Sequence, residues 1–411
     1  MLRWIFFLFI YIIVDWYAFQ SLKTVTKVQW VHWLYWIVTI LVLGNFVYQI
    51  FINTDGMRVL TPIKSYALGF FIALFVPKLI IISVLFIEDI IRVPQALYSY
   101  FTEGRQETGF LPDRRKFLSY IGLGLAAIPF ASLLYGMYRG KYNYKVLNYT
   151  LHFDDLPDAF DGYTITQISD IHSGSFDNMK KVAYGIDLIN KQSSDVILFT
   201  GDMVNNLSLE LAPYVDLFSL LNAKDGMYSV LGNHDYGDYT SWESEDAKHQ
   251  NLEDLKTMQK QIGFDLLLNE SRFIERDGQR LAIIGVENWG VGGFKRAGDL
   301  KKATEKIEKD DFKVLMSHDP SHWENQVIQD DYHYHLTLSG HTHGMQFGIE
   351  IPGWIKWSPV KWRYKYWAGI YEEMGQYINV NRGFGYLAFP GRVGIWPEIS
   401  VITLKKRSNN V

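Results

Sequence analysis

The chain has 411 residues, 48% of them hydrophobic and 16% aromatic, with a formal net charge of −4. That length holds two or three domains, and the apolar content is rich for a wholly soluble protein. Cysteine is absent, which excludes disulfides and thiolate metal sites, so any metal must be held by nitrogen and oxygen.

The charge is unevenly divided. Residues 1–145 hold 14 Lys and Arg against 7 Asp and Glu, whereas residues 146–411 hold 26 against 37. A basic, apolar front and an acidic back read as a membrane module over 1–142 joined to a soluble domain over 143–411. Four stretches, near 4–19, 33–52, 67–87 and 117–137, are apolar enough to cross a bilayer as helices of about 20 residues. The first is short and carries Asp15, and the third has Pro77 and Lys78 in its middle. An intramembrane lysine defaults to a functional site; a charge turned to the bundle interior at a proline kink is the equally good structural reading. Trp4, Trp16, Trp30, Trp33 and Trp36 sit near span ends, where interfacial aromatics belong.

Before the fourth span stands "DRRKFLSYIGLGLAAIPFASLL", which resembles a twin-arginine export signal over 113–119, with Arg114, Arg115, Phe117 and Leu118 in place. With no small-x-small cleavage site after the apolar run, the segment is expected to stay as an anchor. A basic cluster that merely orients the span is the alternative. Either reading puts residues 89–116 in the cytoplasm and everything after 138 outside. The loop cations agree: Lys23, Lys27, Arg92, Arg105, Arg114, Arg115 and Lys116 fall inside, and only Arg3, Arg58 and Lys64 outside before the fourth span.

From residue 143 short apolar runs alternate with amphipathic stretches. "GYTITQISDIH" alternates like a strand and ends on Asp170 and His172, and a helical stretch covers 176–192. "SDVILFTGD" reads as a buried strand ending on Asp202, and a helix-like stretch spans 208–222. "GMYSVLGNHD" ends on Asn233, His234 and Asp235, and a polar helix runs over 241–262. Hairpin strands at 272–277 and 280–286 precede "FKVLMSHDP", ending on His318, and "YHLTLSGHTH", ending on His341 and His343. In an extended chain residues i and i+2 face one side, so His341 and His343 can converge, while Gly340 and Gly344 let the backbone turn sharply. Five strands thus end in nitrogen or oxygen donors. Ligands of layered α/β proteins bind outside such carboxyl ends, and solvated turns would vary among Ser, Gly, Asn and Lys instead.

In combination the motifs D-x-H, G-D, G-N-H-D, H and G-H-x-H over 150–405 resemble the calcineurin-like metallophosphoesterase family. The tail "NVNRGFGYLAFPGRVGIWPEISVITL" resembles its bacterial membrane-associated branch, which includes twin-arginine-exported phosphoesterases and a UDP-2,3-diacylglucosamine hydrolase. The resemblance implies an α/β fold, a four-layer α/β/β/α sandwich of two mixed sheets flanked by helices, here preceded by an α-helical transmembrane module. It implies two divalent metal ions, manganese, iron or zinc. Asp170, His172 and His343 would hold the first, Asn233, His318 and His341 the second, with Asp202 bridging them. His234 would serve the leaving group as general acid, with Asp235 orienting its ring. The expected location is a bacterial inner or cell membrane, multi-pass, with the catalytic domain on the extracytoplasmic side.

The acidic domain gives no sign of a nucleic-acid partner. The segment "IPGWIKWSPVKWRYKYWAGIY" over 351–371 interleaves Trp354, Trp357, Trp362 and Trp367 with Lys356, Lys361, Arg363 and Lys365. Rings mixed with cations suit membrane lipid or a groove for a lipid-linked phosphoester, with Trp354, Trp357, Trp362 and Arg363 making the contact. A packed aromatic lid with solvated lysines is the alternative. The phosphoester itself is either lipid-linked or a small soluble ester, and a membrane sensor that recognises phosphate without turnover is the reading from outside enzymology.

Overall fold

The structure, a computed structural model, describes residues 2–52, 60–102, 112–351 and 353–407. These group into two compact units, one over 1–54 and 63–135 and the other over 136–411, with which 55–62 are grouped. Arg58 and Arg105, counted above among the loop cations, lie outside the described residues.

The first unit consists of α1 (Leu2–Val25), α2 (Gln29–Val47), α3 (Pro62–Thr102) and α4 (Pro112–Tyr138). All four are long and apolar enough to cross a membrane. Asp15 and Lys78 are both buried. Lys78 pairs with Asp15 across α1 and α3 and donates to Thr39 Oγ1 of α2 at 3.0 Å. Tyr35 of α2 donates its hydroxyl to Asp15 Oδ1 at 2.9 Å. Of the two readings of Lys78, the structure supports the charge turned into the bundle. Arg115 of α4 donates to Glu88 at 3.1 Å and Asp89 at 2.7 Å, both on α3.

The strands of the second unit are β1 (Lys145–Phe153), β2 (Thr164–Ile168), β3 (Val196–Phe199), β4 (Met227–Ser229), β5 (Phe264–Leu266), β6 (Glu270–Arg276), β7 (Gln279–Val286), β8 (Phe312–Ser317), β9 (Leu336–Ser339), β10 (Ile349–Ile351), β11 (Ile355–Trp357), β12 (Gly369–Glu373), β13 (Gln376–Val380) and β14 (Glu398–Lys406). Its helices are α5 (Met179–Asn190), α6 (Val215–Phe218), α7 (Glu245–Ile262), α8 (Leu300–Ala303) and α9 (Ser321–Asn325). One sheet runs β1-β14-β2-β3-β4-β5 and the other β12-β13-β9-β8-β7-β6. Both mix directions, but β2, β3 and β4 are mutually parallel, as are β8 and β9.

Alternation along the strands builds the layers. Val196 and Leu198 of β3, with Val314 and Met316 of β8, meet Leu281, Ile283, Leu336 and Leu338 in the core between the sheets. Ile197 and Phe199 turn the other way onto Val182 and Ile186 of α5 and Leu255 of α7. Ala282, Ile284 and Leu315 cover the opposite outer face with Leu300 of α8 and Trp323 of α9. The result is the expected four-layer α/β/β/α sandwich.

Helix ends follow local chemistry. The stretch expected over 176–192 becomes helical at Met179, because Asn178 caps it by accepting from Lys181 N–H at 3.2 Å. The stretch over 241–262 starts at Glu245 after the cap Ser244 and ends at Gly263, whose φ of 108° suits glycine. Residues 208–222 are a correction. They form 3₁₀ turns at Ser208–Glu210 and Ala212–Tyr214 and the single-turn α6 instead of one helix. Pro213 brings no N–H donor, and the Glu210 carboxylate is engaged by the N–H groups of Asn205 at 2.6 Å and Leu207 at 3.3 Å, holding the preceding loop.

Candidate metal centre

The parallel strands deliver the donors to one rim. Asp170 and His172 follow β2, Asp202 follows β3, Asn233 and His234 follow β4, His318 follows β8, and His341 and His343 follow β9. The chain must bend abruptly at each end. Asp170, His172, Asp202, His341 and His343 all adopt positive φ, between 48° and 70°, which costs a non-glycine residue roughly 1–2 kcal/mol each. Gly340 is required by closeness: a Cβ there would collide with Ser169 Oγ and the Asp170 carboxylate. That approach lets His341 N–H donate to both Asp170 oxygens at 3.0 Å.

Two donor groups result. Asp170, His172 and His343 converge in one, and Asp202, His318 and His341 in the other, the donor atoms within each lying inside 4.8 Å of one another. Asn233 joins the second group, its Oδ1 2.8 Å from His341 Nδ1. Asp202 Oδ1 accepts from His234 N–H at 2.8 Å, leaving Oδ2 for the two groups. That oxygen lies 3.1 Å from His318 Nε2 and 3.5 Å from His172 Nε2. The Nε2 atoms of His172, His318 and His343 are buried and make no well-directed hydrogen bond among the described residues, with only carboxylate oxygens beside them at 3.1–3.5 Å. Unpaired buried nitrogens are expensive, and their convergence on carboxylate oxygens is a donor set that fits divalent cations.

The electrostatics agree. Burial pushes His172 down to about 3 and His341 down to about 4, and holds His343 well below the usual range. Neutral rings are the ligating form. His318 goes the other way, because Asp202 and Asp170 outweigh its burial and lift it to about 10. Asp202, though buried, is held well below the usual carboxylate range by the imidazoles around it. The buried carboxylates thus draw positive charge toward the centre. His318 Nδ1 lies 2.7 Å from Thr200 O, an orienting hydrogen bond of the kind that fixes a ligating ring.

His234 lines the pocket in front of these groups, and Asp235 requires a correction. The His234 ring is oriented by the Asn205 carbonyl, 2.7 Å from Nδ1, and not by Asp235. The Asp235 carboxylate turns away and accepts the N–H groups of Asp202, Met203 and Gly232 at 2.8–2.9 Å. The three consecutive amides of Asp202, Met203 and Val204, with that of Gly232, point at that carboxylate, and together they outcompete a single ring N–H. Burial, followed by the charge of Asp202, pushes the Asp235 carboxyl up to about 7.

Other contributors carry no motif. Tyr364 places its hydroxyl 2.7 Å from His341 Nε2, Asn205 Oδ1 lies 3.1 Å from His172 Nδ1, and Tyr239 accepts from Asn233 Nδ2 at 2.8 Å. Arg392 is fully buried behind the site, its Nη2 3.2 Å from His343 Nδ1. Only the surplus of tyrosines in 351–371 hints at Tyr364; the rest approach from loops whose spacing says nothing.

The pocket in front of the donors has a volume of about 400 Å³. Asp202, Asn233, His234, His341 and His343 form its floor, and Met345, Pro359, Val360, Trp362 and Leu387 an apolar rim beside Arg363. Of the four residues expected to contact membrane or substrate, Trp362 and Arg363 line this pocket, whereas Trp354 and Trp357 do not.

Over residues 163–345 the chain matches the family described as calcineurin-like phosphoesterase, and over 2–141 the one described as probable calcineurin-like phosphoesterase, transmembrane domain. It is 29% identical over 274 residues to the uncharacterized metallophosphoesterase YkuE of Bacillus subtilis, covering 66% of this chain and 89% of that one. A second B. subtilis relative, the uncharacterized metallophosphoesterase YkoQ, is 26% identical over 283 residues, 68% of this chain and 97% of the relative. A transmembrane protein with metallophosphoesterase domain from Danio rerio is 25% identical over 281 residues, 66% of this chain and 60% of the relative.

Proposed function

Because this chain belongs to the calcineurin-like metallophosphoesterases, we propose that it is a membrane-held hydrolase that cleaves phosphoester or pyrophosphate bonds with two divalent ions. Its preferred substrate is a lipid-linked compound of a bacterial envelope. The observation that carries this reading is Asp202 Oδ2, set between His318 Nε2 and His172 Nε2 at 3.1 and 3.5 Å. Asp170, His172 and His343 would hold one ion and Asn233, His318 and His341 the other, with Asp202 shared. The donors are nitrogen and oxygen only, which suits manganese, iron or zinc. Bound there, such ions supply Lewis acidity toward phosphoryl oxygens and a water acidic enough to ionise near neutral pH.

The chain's own groups do the rest. With Nδ1–H donated to the Asn205 carbonyl, His234 holds a proton on Nε2 only as imidazolium, and that form gives the Nε2 proton to the leaving oxygen and returns to the neutral ring. Arg363 at the pocket rim attracts a second phosphate or an anionic headgroup. The apolar rim of Met345, Val360, Trp362 and Leu387 accepts the start of a hydrocarbon tail and keeps water from the reacting bond. The domain stands on the extracytoplasmic side, a reading supported by Arg114, Arg115 and Lys116 gathered at the start of α4.

The test uses full-length protein in lipid nanodiscs, assayed on a soluble nitrophenyl phosphodiester and on a lipid-linked pyrophosphate, with metal content measured in parallel. Expected are hydrolysis abolished by chelator, about two equivalents of divalent transition metal, and loss of turnover in Asp202→Asn. Hydrolysis that survives Asp202→Asn, or active protein free of such metal, overturns the proposal. Metal-loaded protein that binds phosphate without turning over either ester would make it a sensor.

A further inference from the structure

Between the last candidate ligand and β12 lies a hairpin that belongs to neither large sheet. Its strands β10 and β11 pair with Ile349 opposite Trp357, Glu350 opposite Lys356 and Ile351 opposite Ile355. Alternation therefore puts Ile349, Ile351, Ile355 and Trp357 on one face and Glu350 and Lys356 on the other. The polar face is the anchored one. Glu350 accepts from Arg382 at 2.6 and 3.0 Å, and Lys356 donates to the Ala368 carbonyl beneath the Trp367 and Tyr371 rings.

The apolar face is left open. Ile349 is 52% and Ile351 42% exposed, with Ile355 and Trp357 half-buried. Trp354, between the strands, is 77% exposed, and Trp362, whose ring meets that of Trp357 edge-on at 6.0 Å, is 75% exposed. A hairpin on a water-soluble domain does the reverse, turning its apolar face inward. The charge around it is also reversed. Residues 345–365 carry Lys356, Lys361, Arg363 and Lys365 against Glu350 alone, in a half of the chain that holds 26 cations against 37 acids.

We infer that this inverted hairpin docks on an anionic bilayer. Trp354, Ile349 and Ile351 enter the interfacial layer, and Lys361 and Arg363 meet lipid phosphates. The inference rests on the reading of the chain as a membrane-held phosphoesterase, since spanning helices keep a bilayer permanently at hand. A second copy is disfavoured as the cover, because two such cationic rims repel. Trp362 and Arg363 belong both to this surface and to the pocket, so a lipid phosphate reaches the donors without leaving the interface.

The chain lacks cysteine, so single nitroxide labels can be placed on full-length Ile351→Cys, Trp354→Cys and, as a control, Met374→Cys, an exposed position in the turn between β12 and β13. In phosphatidylglycerol–phosphatidylcholine vesicles, labels at 351 and 354 should be relaxed by oxygen more than by a water-soluble nickel chelate, with the order inverted at 374. Nickel access at 354 equal to that at 374 overturns the inference. So does protection that vanishes when protein is diluted in lipid, the mark of a second copy. Hydrolysis of the soluble diester is read on the same samples. Docked labels without hydrolysis refute the enzyme and support docking, and hydrolysis with water-exposed labels does the opposite.

Discussion

At the end of β4 the chain turns so that His234 lines the pocket while the Asp235 carboxylate points back into the loop after β3. The neighbours should therefore fail in different ways. His234→Ala should lower turnover roughly 10²–10⁴-fold with metal content unchanged, as read by steady-state kinetics and elemental analysis. Asp235→Asn turns an NH2 donor toward the N–H groups of Asp202, Met203 and Gly232 and leaves buried donors unsatisfied, at about 1–3 kcal/mol each. It should lower the melting temperature and the metal content together, because the backbone of Asp202 hangs on that carboxylate. The motif G-N-H-D made the place of both residues legible but not the division of labour. Backbone amides leave no trace in sequence, so the stronger claim of the loop on Asp235 was invisible, as was the Asn205 carbonyl behind His234.

Strands were readable where burial on both faces writes an unbroken apolar run, as in "VILF" of β3 and "FKVLMS" of β8. Their carboxyl ends told where the donors would meet. The stretch 208–222 misled because its apolar spacing was helical while Pro213 and the loop-capping Glu210 stop a helix from propagating. The pairing of β10 with β11 was not legible, and the two readings of 351–371 stayed open because the sequence pattern does not say which face the fold will cover. In the membrane helices the polar residues were legible and their partners were not. Lys78 and Asp15 join α3 to α1 with neither exposed to lipid. Removing one member strands a buried charge, so Lys78→Met should destabilise the bundle by about 3–5 kcal/mol, and adding Asp15→Asn should restore much of it. Thermal unfolding of the single and double variants in detergent checks this.

Across the whole domain the two sheets are tied at both ends of β9. At its start, His335 accepts from Lys313 N–H at 2.9 Å through Nδ1 and meets Asp155, just past β1, at 2.9 Å through Nε2. Burial pushes His335 down to about 4 against the upward pull of Asp155, so the folded state holds a neutral ring that the unfolded chain would protonate near 6.5. Stability should fall as pH drops from about 6.5 toward 4, and His335→Gln should flatten that slope in melting curves taken across the range. At the other end of β9 the donors come from both sheets: Asp170, His172, Asp202 and Asn233 from one, His318, His341 and His343 from the other. Chelation should raise amide exchange in the turns at 170–173, 201–204 and 341–346 while leaving β7 and β8 protected. If the proposed ions bind, the domain works as a clothes-peg, sprung shut at one end by side chains and clipped at the other by the ions, with strained jaws that open when the clip is withdrawn. On that reading a cell starved of the metal would lose the protein itself to its proteases, and supply of the ion would set abundance as well as rate.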